Sequence, residues 1–285
     1  MSRLYLALPA PAKLNLFLHV LGQRPDGYHE LQSALVPIDL ADLLDFIRRD
    51  DGVIERTGDI VGEVQSDLAV RAAVSLQRAS GTHFGATISV EKRIPAGSGM
   101  GGGSSDAATT LIALNRLWDL HWPRQRLREI AVGLGADVPF FLGAGPAFVE
   151  GIGERLTTLA LEPRDYAVVH PQVAVSTREI FADPSLTRDT KATIIAAFSA
   201  AQEMLSRELF GANDLEGVVR DRFPAVDSAL KHLQRFGPAR MTGSGSAVFM
   251  PAKDPDHAAA AVRELPAGWR GWTVRSLAEL PLAVW

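Results

Sequence analysis

Apolar and polar positions alternate from residue 12 to residue 20. Ala12, Leu14, Leu16, Leu18 and Val20 fall on one side, and Lys13, Asn15, Phe17 and His19 on the other. The pattern predicts a strand with one core face and one face carrying polar groups. The run Arg24-Pro25-Asp26-Gly27 is turn chemistry. Apolar runs at 31–40 and 43–47 predict two further strands. Leu68, Ala72, Leu76 and Ala79 recur at helical spacing and predict a helix over 67–79. A short strand at 86–90 and a glycine-rich loop at 95–103 follow. A helix is then expected from about Ser104, because Ala107, Ala108, Leu111, Ile112, Leu114 and Trp118 form an apolar stripe. Residues 123–134 suggest another helix, leading to Gly135-Ala136-Asp137-Val138-Pro139. Beyond a polar linker at 162–165 come a strand at 166–170, helices at 190–210 and 224–236, a glycine turn at 242–246, a strand at 247–250, a helix at 256–265 and a last strand at 272–277. Strands and helices mix without the strict alternation of a parallel sheet, so the expected class is α+β.

Composition narrows the chemistry. The 285 residues, 47% hydrophobic and 22% charged, suffice for a full core in one large or two ordinary domains. A net charge of −4 provides no global positive field for nucleic acid or anionic lipid. Phosphate ligands would have to be held locally, by backbone N–H groups and a few placed cations. With no cysteine there is no disulfide, thiolate metal site or thiol nucleophile, which fits a reducing cytoplasm. The first twenty residues are moderately apolar, but Lys13, Asn15 and His19 interrupt them, so neither a membrane span nor a signal peptide is expected.

The stretch from Pro95 to Ala108 carries the strongest signal. Five of the seven positions from Gly97 to Gly103 are glycine, which removes side chains where a backbone must approach something closely. The loop delivers the chain to a helix N-terminus, where unpaired N–H groups and the helix dipole favour an anion. Ser104 or Ser105 is expected to cap that helix and offer a hydroxyl to phosphate. Gly97-x-Gly99-x-x-Gly102 also matches the dinucleotide fingerprint, with Asp119 near the acidic position. That reading needs Asp119 at the end of a second strand, whereas 107–118 reads as one helix, and the loop lies deep in the chain. No Gly-Lys-Ser/Thr follows, so a Walker loop is absent.

Single residues leave alternatives open. Lys13 is either part of a solvated strand face or, with Asn15, His19 and an aromatic beside it, part of a site. Asp137, among Leu134, Val138, Phe140 and Phe141, is either a helix N-cap or a carboxylate with a chemical task. Tyr28 and His29 follow a tight turn and are either incidental or suited to a nucleobase, through a π-face and a switchable donor or acceptor. Asp106 at the helix start reads as an exposed first-turn acid.

Pro95-x-x-x-Gly99-x-Gly101-Gly102-Gly103-Ser104-Ser105-x-Ala107-Ala108 resembles the ATP-binding loop of the GHMP kinases, the family of galactokinase, homoserine kinase and mevalonate kinase. The early Pro-Ala-Lys-Leu-Asn (11–15) and the late glycine turn (242–247) match that family's arrangement. Residues 13–18, 24–32 and 135–141 are similar to a subgroup acting on a cytidine-diphosphate-linked sugar alcohol in non-mevalonate isoprenoid-precursor synthesis. The resemblance runs from about residue 11 to residue 249.

The resemblance implies a two-lobed α+β fold. Residues 1–150 would form an ATP-binding lobe, to which 271–285 is a candidate to return, and 151–270 a substrate lobe of antiparallel sheet and helices. It implies ATP contacts from Pro95, Ala96, Gly97, Ser98, Gly99, Met100, Gly101, Gly102, Gly103, Ser104 and Ser105. It implies Asp137 as the general base, and Lys13 beside it and the transferring phosphoryl group. Asn15, Tyr28, His29 and Thr177 would contact substrate, with Tyr28 stacking on cytosine and His29 bonding its edge. Magnesium is expected as the ATP counterion, with no protein ligand assigned. The expected partner is a small molecule with a cytidine diphosphate moiety, without nucleic acid or membrane, in the cytoplasm; the oligomeric state is open. The rivals are another kinase of the family, with a mevalonate-like or homoserine-like substrate, and a non-catalytic ligand sensor. Ala96 and Ser98 depart from the usual loop. Asp67 stands near a position where relatives carry an adenine-reading asparagine, whose donor an ionised Asp lacks.

Overall fold

The computed structural model describes residues 4–204 and 209–285. Two long strands form its spine. β1 (Leu4–Gln23) and β2 (His29–Arg49) pair antiparallel, joined by the tight turn at Arg24–Gly27. The register sets Lys13 opposite Pro37 and Asn15 opposite Leu35, with irregularities at several points that bend the ribbon. The two expected strands at 31–40 and 43–47 are therefore one. Asp42 interrupts the apolar pattern without interrupting the backbone, because its carboxylate accepts N–H bonds from Arg93 (2.6 Å) and Ile94 (2.8 Å).

The chain continues through β3 (Ile54–Gly58), α1 (Leu68–Ser80) and β4 (Gly85–Glu91). Asp67 caps α1, accepting from the Ala69 N–H, and Gly81 ends it in a left-handed conformation. Then come α2 (Gly102–Leu117), α3 (Arg124–Val132), α4 (Val138–Phe141), β5 (Ala147–Gly151) and β6 (Arg155–Thr158). The first sheet runs β3-β4-β2-β5-β6, with β1 also paired to β2; only β3 and β4 are parallel. α1 and α2 pack together over this sheet, with Leu76, Leu111 and Leu114 in their shared core. Asp119 follows α2 at φ +61 and bonds to His121, so no second strand ends there.

The remaining elements are β7 (Asp165–His170), α5 (Thr177–Phe181), α6 (Ile195–Met204), α7 (Glu216–Arg222), α8 (Pro224–Gln234), β8 (Arg240–Met241), β9 (Val248–Pro251), α9 (Pro255–Val262) and β10 (Arg270–Arg275). The second sheet, β10-β7-β9-β8, is antiparallel throughout. Helices α7, α8 and α9 bury Val219, Leu230 and Ala261 against it. Residues 205–208 of the helix expected at 190–210 lie outside the described residues.

The last strand pairs with β7 in the second sheet and touches β2 through the Ile38–Ser276 bridge. The residues after it cross to the first sheet: the Leu277 N–H bonds to the Pro37 carbonyl (2.8 Å), and Leu280 and Leu282 join the core beneath α2. β1 joins the whole together. Leu8 and Ala10 belong to the first core, Ala12, Leu14 and Phe17 to a central one, and Leu18 and Val20 to the core of the second sheet. Its supposed polar face is consequently buried as well, with Lys13, Asn15 and His19 at 2%, 4% and 7% exposure. Among the described residues no helix is long and apolar enough to cross a membrane.

Candidate active site

The expected glycine loop lies where the two sheets meet. Backbone bonds fasten it on three sides: the Lys13 N–H donates to Met100 O (2.9 Å), the Ala247 N–H to Ser98 O (2.9 Å) and the Val175 N–H to Gly97 O (3.5 Å). Gly99 sits at φ +76, and a Cβ there would overlap the Thr242 carbonyl oxygen of the late glycine turn. The two glycine-rich segments therefore interlock, and their residue type is dictated by backbone contact.

Helix α2 starts at Gly102, two residues earlier than expected. Its N-cap is Gly101, at φ +74, and no side chain caps it. The expected serine cap is thus absent: Ser104 faces the cavity, while Ser105 is fully buried and its hydroxyl has no partner among the described residues. The first N–H groups of α2 remain free for an anion.

A cavity of about 580 Å³ opens in front of this loop, walled by β1 and β2 on one side and by α5 and the late glycine turn on another. Lys13, Asn15, Asp137 and Thr177 line it, together with Pro95 to Gly99 and Gly101 to Ser104. Met100 does not, because its side chain is buried in the central core. Tyr28 and His29 also lie outside the lining. Tyr28 is 61% exposed, and His29 is buried beside Phe181, ring centroids 5.0 Å apart. Phe181 does line the cavity and belongs to none of the sequence motifs. Only its position four residues after Thr177, one turn along α5, connects it with them.

Lys13 Nζ is 3.6 Å from Asp137 Oδ2 and donates to Asn15 Oδ1. Asn15 is fixed in turn: its Nδ2 donates to Ser33 Oγ (2.9 Å), and its N–H to Thr242 Oγ1 (2.9 Å). Burial lowers the Lys13 pKa, and the neighbouring Asp137 carboxylate works against that shift. Asp137 differs from the buried carboxylate its apolar neighbours suggest. Its side chain is 39% exposed, facing the cavity, and although it precedes α4 it makes no capping bond. Thr177 Oγ1 and Ser244 Oγ share a 2.6 Å hydrogen bond, which ties α5 to the late glycine turn.

Asp106 is not the exposed first-turn acid of the sequence reading. It is 5% exposed and bonds through Oδ2 to Lys92 Nζ (2.8 Å), which also reaches Asp42 Oδ2 (2.5 Å). Burial pushes the Asp106 carboxyl up to about 7 against the opposing pull of Lys92, and Asp42 adds to the rise. Among the described residues its Oδ1 has no partner, and the residue lines the cavity. Asp67 also lines the cavity, but both its oxygens are used, one by the α1 cap and one by Arg56 Nε (2.9 Å). Among the described residues no cluster of three His, Cys, Asp or Glu could hold a metal ion alone.

A cavity with free helix N–H groups on one wall and a lysine-paired carboxylate on another suits transfer of an anionic group to an alcohol. Comparison with known proteins agrees with that chemistry. Residues 67–145 match the GHMP kinases N terminal domain, and residues 194–271 the GHMP kinases C terminal domain. The chain is 50% identical to the 4-diphosphocytidyl-2-C-methyl-D-erythritol kinase of Ralstonia pickettii, over 96% of this chain and 95% of the relative. It is 51% identical to the enzyme of the same name from Cupriavidus metallidurans, over 96% and 94%. A crystal structure of a 4-(cytidine 5'-diphospho)-2C-methyl-D-erythritol kinase superposes with a TM-score of 0.81 at 37% identity, covering 94% of this chain and 98% of that one. With both domain matches in order around one shared cavity and half of all positions identical to these relatives, the chain belongs to the GHMP kinase family.

Proposed function

We propose that the protein transfers the γ-phosphoryl group of ATP to the 2-hydroxyl of 4-diphosphocytidyl-2-C-methyl-D-erythritol, a step of non-mevalonate isoprenoid-precursor synthesis. The observation that carries this reading is the Lys13–Asp137 pair lining the cavity beside the glycine loop, in a chain half identical to kinases of that name.

In this mechanism the triphosphate lies against the glycine loop and the free N–H groups of α2, where backbone donors and the helix dipole meet its charge. The substrate hydroxyl approaches Asp137, which accepts its proton as the oxygen attacks phosphorus. The Lys13 ammonium lies beside the Asp137 carboxylate and offsets charge on the transferring group. Asn15 holds the lysine, leaving little to reorganise during reaction. Thr177 and Phe181 face the cavity from α5, with His29 packed against the Phe181 ring, and these with Tyr28 supply the nucleobase side of the substrate site.

Magnesium accompanies ATP and supplies further charge neutralisation. It usually keeps several waters and is held by phosphates with one or two carboxylates. Asp106, a carboxylate residue of the cavity lining, would fit that donor set, with the Ser104 hydroxyl beside the loop.

The test is a phosphoryl-transfer assay with radiolabelled ATP against the cytidyl substrate, mevalonate and homoserine. Turnover confined to the cytidyl substrate supports the proposal, and turnover of homoserine or mevalonate without it overturns the substrate assignment. Absence of any turnover with an intact fold would favour a ligand sensor.

A further inference from the structure

Arg188 has no role in the reading above, yet its guanidinium is bound on every side. Its Nη1 donates to Leu186 O (3.1 Å), and its Nη2 to Phe181 O (3.0 Å) and Asp183 O (2.7 Å). These bonds fix the head group against the end of α5. The remaining nitrogen, Nε, points at His29 Nε2, 3.1 Å away.

An arginine keeps all its N–H groups at any pH the protein meets, so Nε is the donor in this contact. His29 Nε2 must then present a lone pair, which excludes the imidazolium form and sets the ring proton on Nδ1. Among the described residues Nδ1 has no hydrogen-bond partner. We infer that Arg188 is a positioning residue for nucleobase recognition: it locks His29 in the neutral Nδ1–H tautomer and thereby makes the free edge of the ring a donor. This inference rests on the cytidyl substrate proposed above.

The electrostatics agree with the geometry. Burial lowers the His29 pKa, and the Arg188 charge lowers it further, so the ring stays neutral around pH 7. The same guanidinium holds the backbone carbonyl of Phe181, whose ring lies at 32° to His29. One side chain therefore holds both Phe181, whose residue lines the cavity, and the His29 ring packed beside it. A fixed donor discriminates between pyrimidines. Cytosine presents an acceptor at N3, where uracil presents N–H, and two opposed donors leave both unpaired.

Long-range ¹H–¹⁵N spectra of the labelled wild-type protein read the tautomer directly. The expected result is a protonated Nδ1 and an unprotonated Nε2 at His29; a proton on Nε2 would overturn the inference without any variant. Arg188→Met should give a mixture of tautomers and raise KM for the cytidyl substrate by about tenfold. It should also lower the preference over the uridine counterpart by about tenfold or more, and leave KM for ATP within about twofold. Unchanged base preference in a folded Arg188→Met protein would also overturn it; should Met prevent folding, Arg188→Lys serves the same comparison. If the wild type shows the Nδ1–H tautomer but ignores the cytidyl substrate, the substrate proposal and the base-edge pairing fail together, and the hold of Arg188 on His29 stands.

Discussion

Lys13 reaches Asp137 from β1, 124 positions earlier in the chain, and the two charged groups stop 3.6 Å apart at the cavity wall. The lysine is almost wholly buried and the aspartate is open to the cavity, so the cation belongs to the scaffold and the anion faces incoming ligand. Asp137→Asn should therefore lower kcat by about 10²–10⁴-fold, the usual contribution of a general base, while melting temperature and circular dichroism stay near wild type. Turnover equal to wild type in a folded variant would remove Asp137 from the chemistry.

Lys92 stands between Asp42, which is fully buried, and Asp106. Its removal leaves two carboxylates facing one another without a cation. Lys92→Met should destabilise the fold by about 3–5 kcal/mol in urea unfolding. Adding Asp106→Asn, which removes one of the stranded charges, should restore part of that loss. A Lys92→Met protein as stable as wild type would show that the cluster is solvated in solution.

Gly99→Ala would place a methyl group against the Thr242 carbonyl and require φ +76 of an alanine. We expect a loss of at least about 2 kcal/mol in stability and a marked weakening of ATP binding by calorimetry. Gly103→Ala is the control: a Cβ there meets only Leu68 Cδ1 at an ordinary 3.5 Å, so the fold should persist. Equal stability of the two variants would contradict the interlocked turns.

His170 is buried, and burial together with the Arg270 charge lowers its pKa from 6.5 to about 4 against an opposing contribution from the Val173 backbone. Above pH 6.5 it is neutral folded or unfolded and contributes nothing to pH dependence. As pH falls from 6.5 towards 4 the unfolded chain takes up a proton that the folded one refuses, so stability declines across that window. His19 and His29 shift in the same direction, whereas Asp106, with its raised pKa, opposes them. Melting temperature measured against pH should fall less steeply between 6.5 and 4 for His170→Asn than for wild type. Identical slopes would mean that His170 titrates normally.

Much of the site was legible because its parts lie in contiguous motifs: the glycine loop, the Lys13 strand and the turn before α4. What escaped depended on partners far along the chain. Asp106 reads as an exposed acid because Lys92 and Asp42 lie 14 and 64 positions away, and no local pattern announces a shared ammonium. Asp42 appeared to divide two strands for the same reason. The serine cap failed because Gly101 and Gly102 start the helix early, a choice made by packing against Phe141 and Ile94. Phe181 and Arg188 were missed because their neighbours carry no motif, and their meaning comes only from His29 across the sheet. Short strands such as β3 and β6 offer too few residues for periodicity to register.

The passage of β1 through all three cores has a consequence for how this protein can be inherited and dismantled. A break at the 162–165 linker would not release two self-sufficient halves: the downstream piece would lack Leu18 and Val20, and the upstream piece would lack Leu280 and Leu282. Neither lobe is a module that recombination could trade alone.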